Sequence, residues 1–174
     1  SINPIRVLTK ALAGIHDDNG RVTLEGFYEG VPELPDQVAQ QWRDLSFDAD
    51  KFLGEVGLSK PAGESDRSVL EQIWSRPTAE INGIWGGYTG EGFKTVLPSE
   101  AHAKVSFRLV GDQDPIKIQE SFKKHIQNYL PIDCTLEFNA HGASKASSMA
   151  IDHPAFEVAR NALSDEWDNA GVYV

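Results

Sequence analysis

The stretch Trp74–Pro115, WSRPTAEINGIWGGYTGEGFKTVLPSEAHAKVSFRLVGDQDP, decides the fold. From Ala101 to Leu109 its side chains alternate without a fault. Ala101, Ala103, Val105, Phe107 and Leu109 fall on one face, and His102, Lys104, Ser106 and Arg108 on the other. Successive residues of a strand point to opposite faces, so a period of two predicts a half-buried strand here. The run Thr78–Tyr88 before it reads as a looser strand, with Ala79, Ile81 and Trp85 on one face and Glu80, Asn82 and Tyr88 on the other. Its Gly83, Gly86 and Gly87 point to a bulge or a close backbone approach. The Gly90-Glu91-Gly92 between the two runs is a turn. As a phosphate loop it would have to open a helix and carry a Lys-Ser/Thr pair, and it does neither.

Outward from this hairpin the sequence alternates helix and strand signals. Asn3-Pro4 is a helix start, a side-chain acceptor followed by a residue with no N–H to orphan. Ile5, Leu8, Leu12 and Ile15 then give roughly Pro4–His16 one apolar face. His16 beside Asp17 and Asp18 reads as a helix end running into a turn rather than a metal ligand. Arg21–Leu24 is a short strand candidate. The stretch 32–75 shifts to prolines, acids and three short helical patterns, near Asp36–Arg43, Phe47–Val56 and Asp66–Trp74, and reads as a helical insert. Beyond the hairpin, Asp114-Pro115 repeats the helix opening, with Ile118, Phe122, Ile126 and Tyr129 in one stripe and Pro131 at the end. Cys134, Leu136, Phe138 and Ala140 then alternate with Thr135, Glu137, Asn139 and His141, predicting a third strand. A last helix is expected from an Asp152 cap and Pro154, with Phe156, Ala159, Leu163 and Trp167 on one side.

Composition bounds the function. The chain has 174 residues, 40% of them hydrophobic, enough for one domain with a core. Lys and Arg number 16 against 26 Asp and Glu, a net charge of −10. Such a surface repels phosphate backbones, which excludes nucleic acid as a partner. No apolar run approaches the ~18 residues that a membrane span needs. Cys134 is the single cysteine, so no internal disulfide forms, and a cytoplasmic protein is expected. Cys134 itself reads as a buried structural thiol.

An ordered set of short motifs carries a resemblance. Trp74, Arg76-Pro77-Thr78, Asn82-Gly83-Ile84, Gly90-Glu91-Gly92, Lys94-Thr95-Val96-Leu97-Pro98 and Phe107-Arg108-Leu109-Val110 resemble the lid, or dimerisation, domain of carnosinase-type di-zinc dipeptidases and their deacylating relatives. Asn3-Pro4-Ile5, Gly26-Phe27-Tyr28 and His153-Pro154 extend the likeness over nearly the whole chain. The strand and helix pattern by itself implies an α+β domain, an antiparallel sheet with helices on its apolar face. The resemblance sharpens this to a ferredoxin-like split β-α-β-β-α-β layer plus a helical insert. It places the lid at 1–151, with the insert at about 32–75, and makes 152–174 the start of the C-terminal part of a catalytic domain.

The resemblance also assigns roles. In the family, zinc is held by an early His-x-Asp, an adjacent Glu-Glu pair, further acids and a late His, all on a separate catalytic domain. Here no two glutamates are adjacent, and His16, His102, His125, His141 and His153 sit on unrelated elements. The expectation is therefore no metal, no cofactor and no catalytic residue in this chain, with two zinc ions in the parent enzyme. Arg108 matches a lid Arg that binds the terminal carboxylate of a peptide-like substrate, a task suited to a planar, bidentate guanidinium. Thr95 matches a lid Thr that reaches the neighbouring subunit's active site. Ile81 and Trp85, with the first helix, are expected at a homodimer interface. Asn82-Gly83-Ile84 stands where carnosinases have His-Gly-Ile, which argues against carnosine-like specificity. The reading from a different class is a stand-alone ferredoxin-like regulatory module that binds a small ligand. In a layer of strand order 4-1-3-2 the first strand is central, and a helix opening at Asn3 leaves no residues for it. The β-prone tail Val172-Tyr173-Val174, or a strand of another copy, is expected in its place.

Overall fold

A computed structural model describes residues 2–174. The fold is α+β, six helices and a two-stranded antiparallel sheet: α1 (Pro4–Ala13), α2 (Asp36–Arg43), α3 (Ala49–Glu55), α4 (Val69–Trp74), β1 (Thr78–Gly86), β2 (Ala101–Arg108), α5 (Pro115–Asn128) and α6 (Pro154–Glu166). Both Asn/Asp-Pro openings behave as their chemistry demands. The Asn3 side chain accepts from the Ile5 N–H, and Asp114 from those of Ile116 and Lys117. The apolar stripes of α1 and α5 then meet the inward face of the hairpin. Leu12, Ile15, Val22, Leu24, Phe27, Ala79 and Ile118 form the buried core, with Ala103, Val105, Phe107 and Phe122 packed against it. An isolated hairpin is marginal in water, so this cover is what makes the sheet persist.

A bulge resets the faces of β1. Ile81 pairs with Val105, but Gly83 pairs with Lys104, so Asn82 is the extra residue. One inserted residue flips every side chain beyond it. Ile84, opposite Ala103, thus joins Ile81 on the helix face, whereas Trp85, opposite His102, turns outward. The sequence reading that put Ile81 and Trp85 on one face is corrected accordingly.

Three further expectations change. Arg21–Leu24 reduces to a single bridge between Val22 and His16. The expected third strand keeps its alternation, with Cys134, Leu136 and Phe138 half-buried, but among the described residues it pairs with nothing and is no strand. Alternation fixes a face and not a partner. The tail does not enter the sheet. The Tyr173 N–H donates to Gln41 Oε1 (3.1 Å), and its carbonyl accepts from the Trp42 indole (2.7 Å). The last helix is capped by His153 rather than Asp152, and it buries none of its residues.

The stretch 32–75 holds α2, α3 and α4, with a small core of Val38, Trp42 and Leu70 against which Ile151 and Tyr173 pack. A Ser68–Glu71 capping box starts α4. This stretch is fastened to the main core by charge. Glu64 is only 4% exposed and accepts from Arg76, itself 8% exposed, at both carboxylate oxygens through the Nε and Nη2 groups, and from Arg21 at 3.0 Å. Tyr28 lies under both cations, with Arg21 4.3 Å and Arg76 5.4 Å from its ring centre, and burial pushes its phenol pKa up. At the edge of this group Arg67 grips Glu33 with two bonds (2.7 and 2.9 Å), which holds the Glu33 carboxyl below the usual carboxylate range.

Glu64→Ala leaves the buried Arg76 cation unpaired and is expected to cost about 3 kcal/mol. With a slope near ~2 kcal/mol per molar urea, the unfolding midpoint should fall by about 1.5 M. A change within about 0.5 kcal/mol, the usual size for a surface substitution, would show that the group is no fastening.

Candidate functional site

The hairpin presents two surfaces that its helices leave uncovered. The first is the outward face of the sheet. Here the Trp85 ring stacks on His102 at 5.0 Å and 7°, and Lys104 Nζ stands 5.8 Å from the Trp85 centre. Glu100 Oε1 lies 3.5 Å from His102 Nε2. Arg108, at the far end of β2 opposite Thr78, is exposed and makes no ion pair among the described residues, with Glu80 or Glu137 included. Its guanidinium is therefore available to a carboxylate. The Trp85–His102–Lys104 group escaped the sequence reading because the bulge hid its parity. The Asn82-Gly83 pair inside the strand was the available signal.

The second surface is the outer edge of β1. The sheet has two strands, so β1 pairs on one side alone. Ile81, Ile84, Trp85 and Tyr88 are each 43–50% exposed along it. The hairpin loop continues the apolar patch with Phe93, Val96 and Leu97. Two contacts shape that loop: the Tyr88 hydroxyl donates to the Glu91 carbonyl, and Lys94 sits 4.7 Å over the Tyr88 ring. Gly87, at φ +72°, lies where a Cβ would stand 3.1 Å from Ile5 Cδ1, so α1 abuts the loop at a point where glycine is required. A long exposed apolar edge is a template for pairing with another chain.

The structure does not bring Arg108 and Thr95 together. Gly86 opposite Ala101 closes the loop that carries Thr95, while Arg108 ends the ladder at Thr78. At ~3.3 Å per residue, β2 separates its two ends by roughly 23 Å. Thr95 is exposed on that loop. Ile81 and Trp85 both lie on the free edge strand, one toward each face.

A metal does not fit the residues present. Among the described residues no group of three or more His, Cys, Asp or Glu side chains could hold an ion. His16 and Asp18 have a His-x-Asp spacing, but they lie in a turn where Asp17 accepts from the Asn19 and Arg21 amides. His125 Nε2 is 2.8 Å from the Ala11 carbonyl, and His153 caps α6. These histidines are occupied with structure.

Residues 1–134 match the family described as Peptidase dimerisation domain (M20_dimer). The chain is 24% identical over 168 residues to the Cys-Gly metallodipeptidase DUG1 of Candida albicans, covering 95% of this chain and 35% of that protein. It is 23% identical over 125 residues to the human Beta-Ala-His dipeptidase, covering 72% of this chain and 25% of the relative. Among solved structures, the M20 family metallo-carboxypeptidase Sso-CP2 from Sulfolobus solfataricus superposes with a TM-score of 0.80 at 30% identity, over 95% of this chain and 42% of its own. Human carnosine dipeptidase 1 shares the fold, with a TM-score of 0.79 at 19% identity over 98% of this chain and 37% of its own. The chain thus spans about a quarter to a third of the length of the curated relatives.

Metal analysis after dialysis against zinc is expected to find no stoichiometric ion on this chain. Bound zinc that survives dialysis at one or more ions per chain would reveal a ligand set that the fold does not assemble.

Proposed function

The chain belongs to the M20 peptidase dimerisation domain family, and from that premise we propose that it is the dimerisation and substrate-capping domain of a larger zinc-dependent dipeptidase or aminoacyl hydrolase. The observation that carries this reading is the free, apolar outer edge of β1, flanked by an exposed guanidinium without an ion-pair partner. An isologous homodimer joins two β1 edges about a two-fold axis and continues the sheet from one copy to the other. Ile81, Ile84, Trp85 and the start of α1 lie in its interface.

The finer architecture goes with this function. β1, β2, α1 and α5 are the hairpin and helices of a ferredoxin-like layer, residues 134–140 mark its further strand position, and 32–75 is an insert. The lid proper is 1–151, and 152–174 begins the C-terminal part of the catalytic domain. The exposure of α6 supports that division, since Val158, Leu163 and Trp167 are all half or more exposed. The two zinc ions and the catalytic groups lie in the parent outside this chain, in a cytoplasmic enzyme. Within this chain Arg108 receives the terminal carboxylate of a peptide-like substrate, and Thr95 extends to the neighbouring subunit's site.

Sedimentation at tens of micromolar should give a dimer, and Ile81→Asp with Trp85→Asp should give a folded monomer with unchanged far-UV circular dichroism. A wild-type monomer would remove the dimer. In the parent enzyme Arg108→Ala should raise KM for substrates with a free C-terminal carboxylate by a factor equivalent to about 2–4 kcal/mol. Equal losses on carboxylate and C-terminal amide substrates would assign the arginine another task.

A further inference from the structure

The β1–β2 ladder stops at Arg108 for a local reason. Thr78 pairs with Arg108, so the register carried on would set Pro77 against Leu109 and Arg76 against Val110. Pro77 has no N–H to give. The Arg76 N–H is taken by the Glu71 carbonyl (3.0 Å) at the end of α4. Val110 finds its backbone bonds elsewhere, and both come from Gln113. The Val110 N–H donates to Gln113 Oε1 (2.8 Å), and the Val110 carbonyl accepts from the Gln113 N–H (3.3 Å). Gln113 thus stands in as strand partner where β1 supplies none. The rest of its side-chain amide reaches a third segment, with Nε2 donating to the Phe27 carbonyl (2.6 Å). Gln113 is 1% exposed, and a buried amide keeps its place by having both ends bonded, as here.

The Phe27 that it holds is equally buried, and its ring centre lies 6.1 Å from that of Phe107, the residue before Arg108. The turn after β2 is closed against the same segment. Asp112 donates its N–H to the Gly30 carbonyl (2.8 Å), and Gly111, at φ +56°, lies where a Cβ would stand 2.6 Å from that oxygen. One buried side chain therefore sets the course of β2 on both sides of Arg108, through Phe27 and Phe107 before it and through Val110 after it. We propose that Gln113 is a positioning residue for Arg108, aiming the guanidinium at a substrate carboxylate without touching substrate itself. This deepens the reading of Arg108 given above and rests on it. Paired N–H···O bonds to a carboxylate demand a fixed direction of approach. Arg108 has no ion-pair partner among the described residues, Glu80 and Glu137 included, so its aim is set by its backbone.

The test is steady-state kinetics in the parent enzyme with two matched substrates, a dipeptide with a free C-terminal carboxylate and its C-terminal amide. Gln113→Met keeps the side-chain length and loses both side-chain bonds. It should raise KM for the carboxylate substrate about tenfold, hold kcat within about twofold, and leave the amide substrate unchanged. In an Arg108→Ala background the same substitution should add nothing, the mark of two residues acting as one. Gln113→Glu keeps the bond from Val110 and loses the one to Phe27, so its KM should fall between wild type and Gln113→Met. Equal losses on both substrates, or a loss undiminished in the Arg108→Ala background, would make Gln113 a purely structural residue and overturn the inference. Unchanged KM in both variants would overturn it too. A further check needs no variant. In the 174-residue chain the Val110 amide should exchange as slowly as the β2 amides that bond to β1, and exchange at the rate of an exposed amide removes the clamp. If Arg108→Ala costs both substrates alike, the reading of Arg108 fails; if its loss is confined to the carboxylate substrate while Gln113→Met is neutral, this inference alone fails.

Discussion

A carboxylate as buried as Glu64 exists only because two guanidiniums surround it. An ion taken out of water loses several kcal/mol of hydration, and attraction repays this only when the geometry is good and the remaining lone pairs are occupied. Arg76 and Arg21 supply that geometry, and Tyr28 lends its ring face to both cations. The three charges come from different parts of the chain. Arg21 belongs to the segment after α1, Glu64 to the segment between α3 and α4, and Arg76 to the approach to β1. Their meeting fixes where the α2–α4 stretch sits and where the hairpin begins. The smaller Val38–Trp42–Leu70 core forms beyond that point, and the C-terminal segment comes to rest on it through Ile151 and Tyr173.

The hairpin in turn is a layer with one covered face and two open edges. Covering the face takes α1 and α5, and their proline-led caps start both helices cleanly on the side where Phe107 and Val105 need partners. Among the described residues nothing pairs with the edges. An open edge carries unpaired N–H and C=O groups, and natural proteins protect such edges with charge, proline or bulges unless they are used. The outer edge of β1 carries Ile81, Ile84 and Trp85 instead, the composition of an edge that is used. The bulge at Asn82 spreads those apolar groups over both faces, so that a neighbouring strand meets them above and below.

Much of this was legible in the residues, and what was not has a physical cause. The faultless alternation of 101–109 and the Asn3-Pro4 and Asp114-Pro115 caps are local signals, and they located β2, α1 and α5. Asp36–Arg43 was readable for the same reason. The bulge was not placed. Asn82-Gly83 announces an irregularity, but the inserted residue is defined only by the partner strand, and with it went the facing of Trp85. Cys134–Phe138 alternates as cleanly as β2, yet a strand is made by pairing, and pairing is not local. Val172–Val174 is β-prone, but a carbonyl beside the Trp42 indole and an amide beside Gln41 outweighed propensity. The Glu64 group joins residues 12 and 43 positions apart, which no periodicity reports. Composition and spacing alone would leave Arg108 an ordinary surface cation and Thr95 an ordinary loop residue. The roles proposed for them rest on the resemblance.

The wide separation of Arg108 and Thr95 becomes intelligible in the proposed dimer. Two β1 strands that meet about a two-fold axis run antiparallel, because the axis reverses one relative to the other. The loop end of one hairpin, at Gly86 and Ala101, then lies toward the open end of its partner, at Thr78 and Arg108. The Thr95 loop of each copy is thereby carried to the end of the dimer that bears the other copy's Arg108. Within one chain the two residues are a strand's length apart; across the axis they approach the same end. A cap built this way needs both copies to complete either site. In that proposed arrangement the apolar edge of β1, the Thr95 loop and Arg108 belong to one assembly, with the hairpin as its lever arm.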